Sequence, residues 1–231
     1  MPTLVLRLAG PLQSWGDSSR FNHRHTRQEP TKSAVLGLLA AAEGRRRSDS
    51  IEDLLRLRFG VRADQPGRLV RDFQTEVNGR SGHPRPLTYR YYLADAVFVA
   101  AVEGPAEVIT TLHEALRHPV FPLFLGRRSC PPVGPLWLGV REHRLEDTLR
   151  SEGWQAANWY RRRQGTTVHL DVVRDAADGE QRMGSMRDLP LSFAESNRDY
   201  AWRDITRETV TVANPGGRAP RHDALALLEG D

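Results

Sequence analysis

The 231-residue chain holds a single cysteine, Cys130, and a single lysine, Lys32. A lone thiol makes no internal disulfide, which argues against an oxidising compartment, and it cannot anchor a multi-cysteine zinc site. Of the eight histidines, only His23 and His25 form a close pair. Two imidazoles at i, i+2 share one face of a strand but lack identifiable further ligands, so no metal and no cofactor is expected. Long apolar runs are also missing. The longest, residues 34–42 and 96–102, fall far short of the ~20 residues of a membrane helix. Residues 1–9 lack the charged start, long apolar stretch and cleavage site of a signal peptide. The chain reads as cytoplasmic, with no membrane partner.

A hydrophobic fraction of 39% supplies a globular core, within one large domain or two small ones. The net charge is only +4, but it is unevenly spread. Residues 1–47 carry eight basic and three acidic groups, whereas residues 140–231 carry fourteen and sixteen. Lys32 excepted, every one of the 33 basic residues is an arginine. Arginine grips phosphate bidentately and stacks on bases, which suits nucleic acid. A GC-rich genome would produce the same global bias, but not its clustering.

Residues 3–8 alternate like a strand. A basic loop follows to Pro30, then a helix capped by Thr31 with Val35, Leu38, Leu39 and Ala42 on one face, ending at Gly44. A short helix at 51–57 leads to a strand at 58–63. Residues 65–92, rich in glycine, proline and arginine, read as an interaction arm. A buried strand at 93–102, a helix at 107–117, and strands at 121–125 and 136–140 complete the first part. The order β, α, β, β, α, β matches the α+β, ferredoxin-like plan. Residues 141–231 read as a smaller β-rich extension, with strands at 166–173 and 208–213 and a mobile tail beginning in the Gly- and Pro-rich 214–221.

Three segments carry candidate chemistry. In Gly10-Pro11-Leu12-Gln13-Ser14-Trp15-Gly16, the glycines permit close approach to a ligand, Gln13 and Ser14 offer hydrogen bonds, and Trp15 offers a stacking face. A turn with a core tryptophan fits as well. Thr31, Lys32 and Ser33 open a helix whose free N–H groups favour an anion; simple capping by Thr31 is the plainer alternative. Gly126-Arg127-Arg128-Ser129 can cradle a phosphodiester or form an ordinary surface turn. Arg20, Arg24 and Arg27 extend the basic set. Nucleophilic catalysis has little support, since no Gly-x-Ser-x-Gly elbow occurs and Cys130 has no identifiable histidine partner. Metal-independent RNA cleavage by His23 or His25 with Lys32 remains open on spacing alone.

These segments together resemble the CasD family, the handle-binding subunit of the type I-E CRISPR complex called Cascade. The matching stretches are residues 6–16, 30–33 with 37–39, and 125–131, in family order over roughly residues 1–140. The resemblance implies an RRM-like ferredoxin domain at 1–140 whose thumb lies at about 65–92. It implies binding of the 5′ handle of CRISPR RNA by Gln13, Ser14, Trp15, Arg20, Arg24, Arg27, Thr31, Lys32, Ser33, Arg127, Arg128 and Ser129. The thumb, with Arg71, Arg80, Arg85, Tyr89, Arg90 and Tyr91, would contact the backbone subunit CasC. The large subunit CasA and target DNA near the protospacer-adjacent motif would lie close by. Type I-E members are considered noncatalytic; the alternative is a metal-independent endoribonuclease, as in the type I-C branch. A free-standing RNA-binding module is a third reading.

Overall fold

The structure, a computed structural model, describes residues 1–16 and 22–218. The first strands are β1 (Thr3–Ala9), β2 (Leu12–Gln13) and β3 (His23–Arg24), followed by helices α1 (Lys32–Ala42) and α2 (Glu52–Leu55). Next come β4 (Arg58–Gln65), β5 (Arg68–Gln74), β6 (Thr88–Ala94), β7 (Val97–Glu103) and α3 (Ala106–Arg117). The chain continues through β8 (Trp137–Arg141), α4 (Leu145–Ser151), α5 (Asn158–Arg161), β9 (Thr167–Asp175), β10 (Gly184–Ser192) and β11 (Asp199–Ala213).

A seven-stranded sheet runs in the order β10-β11-β9-β4-β7-β1-β8, with every described pairing antiparallel. Leu4, Leu6 and Leu8 of β1 and Phe98, Ala100 and Val102 of β7 turn to a core shared with α1 and α3. Val5, Val99 and Ala101 face the other way, against Leu145 and Leu149 of α4 and Val172 of β9. A sheet covered on both faces explains why residues 96–102 read as one apolar run rather than an alternation. The last three strands extend this same sheet through the pairing of β9 with β4. A smaller sheet is centred on β6, which pairs with β2, β3 and β5. Strands β5 and β6 form a hairpin that leaves the main sheet after Gln65 and returns at Val97.

Three expectations need correction. The strand expected at 93–102 is two strands, β6 and β7, broken at Asp95, whose φ is +57°. The Asp95 amide donates to the Pro11 carbonyl (3.1 Å) and its carbonyl accepts from the Gln65 side chain, so the break transfers the chain between sheets. Residues 121–125 form no strand. The Val120 amide instead donates to the Ala42 carbonyl (2.9 Å) at the end of α1, and Pro122 has no N–H for a ladder. Strand β10 was not foreseen, because the side chains it buries are Met186, Asp188 and Pro190 rather than an apolar alternation.

Arg62 of β4 is fully buried, against the usual placement of arginine. Its guanidinium grips Asp64 (2.7 and 3.0 Å) and the carbonyls of Leu149 (2.7 Å), Glu152 (2.8 Å) and Gly153 (3.0 Å). Burial pushes the Asp64 carboxyl above its ordinary value, with Arg62 opposing. Arg62→Ala would strand a buried carboxylate and three carbonyls, with an expected loss of about 3–5 kcal/mol in urea unfolding. A loss below about 1 kcal/mol, the usual limit for a surface pair, would contradict this role.

Candidate nucleic-acid interface

The loop after β1 and the loop at 125–131 are stitched together by backbone. The Ser14 amide donates to the Leu125 carbonyl (3.1 Å), Leu125 to Cys130 (2.8 Å), and Val133 to Ala9 (2.8 Å). Gly126 has a φ of +84°, and a Cβ there would drive into the Ser14 carbonyl. A Cβ on Gly10 would stand 2.8 Å from the Pro131 carbonyl oxygen. These glycines let one backbone approach another, not a ligand.

This changes the reading of the first motif. Trp15 is fully buried, and its Nε1 donates to the Gln13 Oε1 (3.1 Å). The Gln13 Nε2 donates to the carbonyls of Ala96 (2.7 Å) and Leu8 (3.2 Å), and the Ser14 hydroxyl donates to Tyr91 (3.2 Å). An enclosed indole offers no face to a base, and the polar groups of these three side chains bond within the scaffold.

The start of α1 is likewise occupied. Thr31 caps it by accepting from the Ala34 amide (3.3 Å) and shares a hydrogen bond with the Ser33 hydroxyl (3.2 Å). The Lys32 amide donates to the Asp188 carboxylate (2.8 Å), and its Nζ donates to Asp175 (2.8 Å). The anion expected there as phosphate is a carboxylate of the chain itself.

Arg127 is a clamp. Its guanidinium lies over the Tyr92 ring at 4.8 Å and donates to the Arg24 carbonyl (2.8 Å), fixing β3 to the body. Arg128 and Ser129 are exposed, and Arg128 makes no contact with a described acid. Cys130 is buried, and burial pushes its thiol above the ordinary value against the opposing pull of Ser129 and Arg127. Arg27 is half-buried, while Arg20 lies outside the described residues.

The arm residues sort by face. His23 stacks on Tyr89 (centroids 5.1 Å apart) and His25 on Tyr91 (4.9 Å), and Arg71 lies over Tyr89 at 5.3 Å. Period-two spacing in both segments is the signal for this ladder, although nothing local links residues 23–25 to 89–91. Arg80 is exposed, Arg85 pairs with Glu76 (3.5 Å), and Arg24 and Arg90 are register partners.

A cleft of about 360 Å³ runs along α1 and was not foreseen. Ser33, Ala34 and Gly37 form its floor; Phe124, Phe193 and Tyr200 contribute rings; Arg45, Arg46, Arg47 and Arg198 line it. Gly16 and Gly126 also line it, so the stitched loops border it. The Phe193 ring packs over Gly37, at ordinary contact distance from where a Cβ would stand. Arg45 is tied to Glu43 and Asp53, and Arg47 to Glu195. Arg46 and Arg198 are exposed, and neither guanidinium is paired with a described acid. The result is an open groove of small floor, aromatic walls and free cations, a surface suited to a single-stranded nucleic acid.

A family model described as CRISPR-associated protein (Cas5) matches residues 3–206. The chain belongs to the Cas5 family. The match passes well beyond the roughly 140 residues spanned by the motifs. The chain is 38% identical over 157 residues to CRISPR system Cascade subunit CasD of Escherichia coli K12, covering 59% of this chain and 70% of that protein. It resembles a chain of a CRISPR RNA-guided surveillance complex at TM-score 0.76 and 32% identity, covering 98% and 97% of the two chains. A second solved Cas protein aligns at TM-score 0.69 and 35% identity over 95% of this Cas5 chain and 100% of its own.

Gly126→Ala tests the stitched loops. The backbone clash and positive φ are expected to cost at least about 2 kcal/mol in urea unfolding. An unchanged midpoint would show that the loops part without penalty.

Proposed function

We propose that this Cas5 chain is a noncatalytic RNA-binding subunit of a type I-E Cascade complex. It holds the repeat-derived 5′ handle of the guide RNA and caps one end of the assembly. The observation that carries this reading is the cleft along α1, where Arg46 and Arg198 face a groove with aromatic walls beside the Gly126 loop. Single-stranded RNA needs such a combination, because phosphates bind cations and unpaired bases bind rings. Arg24 and Arg128 extend the exposed positive surface toward β3.

The family relationship supports CRISPR RNA as the ligand. The strand order β4-β7-β1-β8, with α1 and α3 as crossovers, supports an RRM-like ferredoxin plan for residues 1–140. Strands β9, β10 and β11 then enlarge its sheet. The β5–β6 hairpin is the thumb, and its exposed Leu69 and Phe73 offer an apolar surface to the backbone subunit CasC. CasA and target DNA near the protospacer-adjacent motif are the neighbours on the cap. Binding without cleavage is supported by Lys32, whose ammonium is buried against Asp175 and cannot serve a reacting phosphate.

The double variant Arg46→Ala/Arg198→Ala tests the cleft. Its affinity for handle RNA should fall, and its salt dependence should flatten by about 1.4 in log–log slope for two lost phosphate contacts on a single strand. An affinity and slope equal to those of the parent would remove the cleft from the binding site.

A further inference from the structure

A second cavity, of about 340 Å³, lies at the far end of the hairpin, where β5 ends and β6 begins, apart from the cleft along α1. Arg24, Arg85 and Arg90 line it with Asn22, Thr88 and Glu76. Arg24 and Arg90 are direct cross-strand partners in the parallel pairing of β3 with β6. Like charges directly opposed across two strands destabilise a sheet unless something between them compensates. Asp72 lies directly opposite Arg90 on β5 but forms no ion pair with it, and Glu76 is engaged by Arg85. The Arg90 Nε is buried with no hydrogen-bond partner. A buried charged donor left without an acceptor is costly, and native structures supply one.

We propose that Arg24 and Arg90 bracket one phosphodiester of the bound RNA strand in this cavity. A phosphate oxygen satisfies the Arg90 Nε, and the anion removes the Arg24–Arg90 repulsion. The inference rests on the RNA-binding reading above and adds a specific phosphate site to it, built from one basic residue of the loop and one of the thumb. The clamp of Arg127 on the Arg24 carbonyl positions the first of them. A phosphodiester is favoured over a partner protein's carboxylate because the RNA-binding reading already brings a continuous strand of phosphates to this face, and guanidinium forks bind it bidentately.

The test uses the full chain and a handle-bearing single-stranded RNA in which each phosphate in turn is replaced by a neutral methylphosphonate, with binding read by fluorescence anisotropy at low salt. In the parent, one linkage should cost about tenfold in affinity when neutralised, the low end for a hydrogen bond to a charged group. Arg90→Ala and Arg24→Ala should each weaken the unmodified RNA by a similar factor and abolish the penalty at that linkage. Arg90→Lys, which keeps the charge but not the fork, should restore part of the affinity; circular dichroism confirms that each variant is folded. Equal affinities for the Arg90→Ala variant and the parent on every RNA would overturn the phosphate site while leaving handle binding intact. Unchanged RNA affinity with lost assembly onto the backbone subunit would overturn it in favour of a protein carboxylate. A parent chain that bound no RNA would overturn both readings.

Discussion

Four buried charges tie the two halves of this chain into one object. Lys32 at the start of α1 donates through its ammonium to Asp175 at the end of β9 and through its amide to Asp188 in β10. Arg203 in β11 closes the ring, bonding Asp175 (2.7 Å) and Asp188 (2.6 and 3.0 Å) while its guanidinium lies over Phe59. Asp175 also accepts the Phe59 amide (2.9 Å). Two cations and two anions balance, and each carboxylate has several donors, which is the condition for tolerating such a group away from water. Loss of any one member leaves an uncompensated charge, so the ring is stable only when all of it forms. It therefore fixes α1 against the strands at residues 175–203, and one wall of the α1 cleft comes from the neighbouring segment that carries Phe193, Arg198 and Tyr200.

The same logic separates scaffold from contact surface. Polar groups named by the motifs are largely consumed inside: Gln13 and Trp15 bond each other, Thr31 caps a helix, and Arg127 clamps a carbonyl. What remains for a ligand are arginines without acidic partners and rings with an exposed side. A frame that bonds most of its own polar groups and presents arginines without acidic partners is the physical basis of the proposed RNA binding. Such a frame pre-pays the ordering cost of its own loops before the strand arrives.

Much of the central architecture was legible because its physics is local. Leu4, Leu6 and Leu8 alternate on β1, and Thr31 and Gly44 delimit α1 by rules of capping and left-handed backbone. The remainder depended on partners distant in sequence. Arg62 is buried because backbone carbonyls at 149–153 receive it, and Lys32 because Asp175 and Asp188 lie 143 and 156 residues away. Lys32 was assigned to a phosphate and Arg62 drew no attention, because neither acceptor set is visible from the local sequence. Strand β10 was hidden for the same reason, since its inward Asp188 breaks the apolar alternation. Gln13, Trp15, Thr31, Lys32 and Arg127 were ascribed to a ligand, whereas their polar groups bond within the chain.

Lys32 is the only lysine, so isotopic labelling of lysine nitrogen reports on the ring with one backbone amide and one ammonium. The account requires the Lys32 amide to exchange slowly with solvent and both signals to stay in place when handle RNA saturates the protein. Rapid exchange in the free chain, or a displacement of either signal on RNA binding, would show that the start of α1 is open to the ligand and would contradict the account.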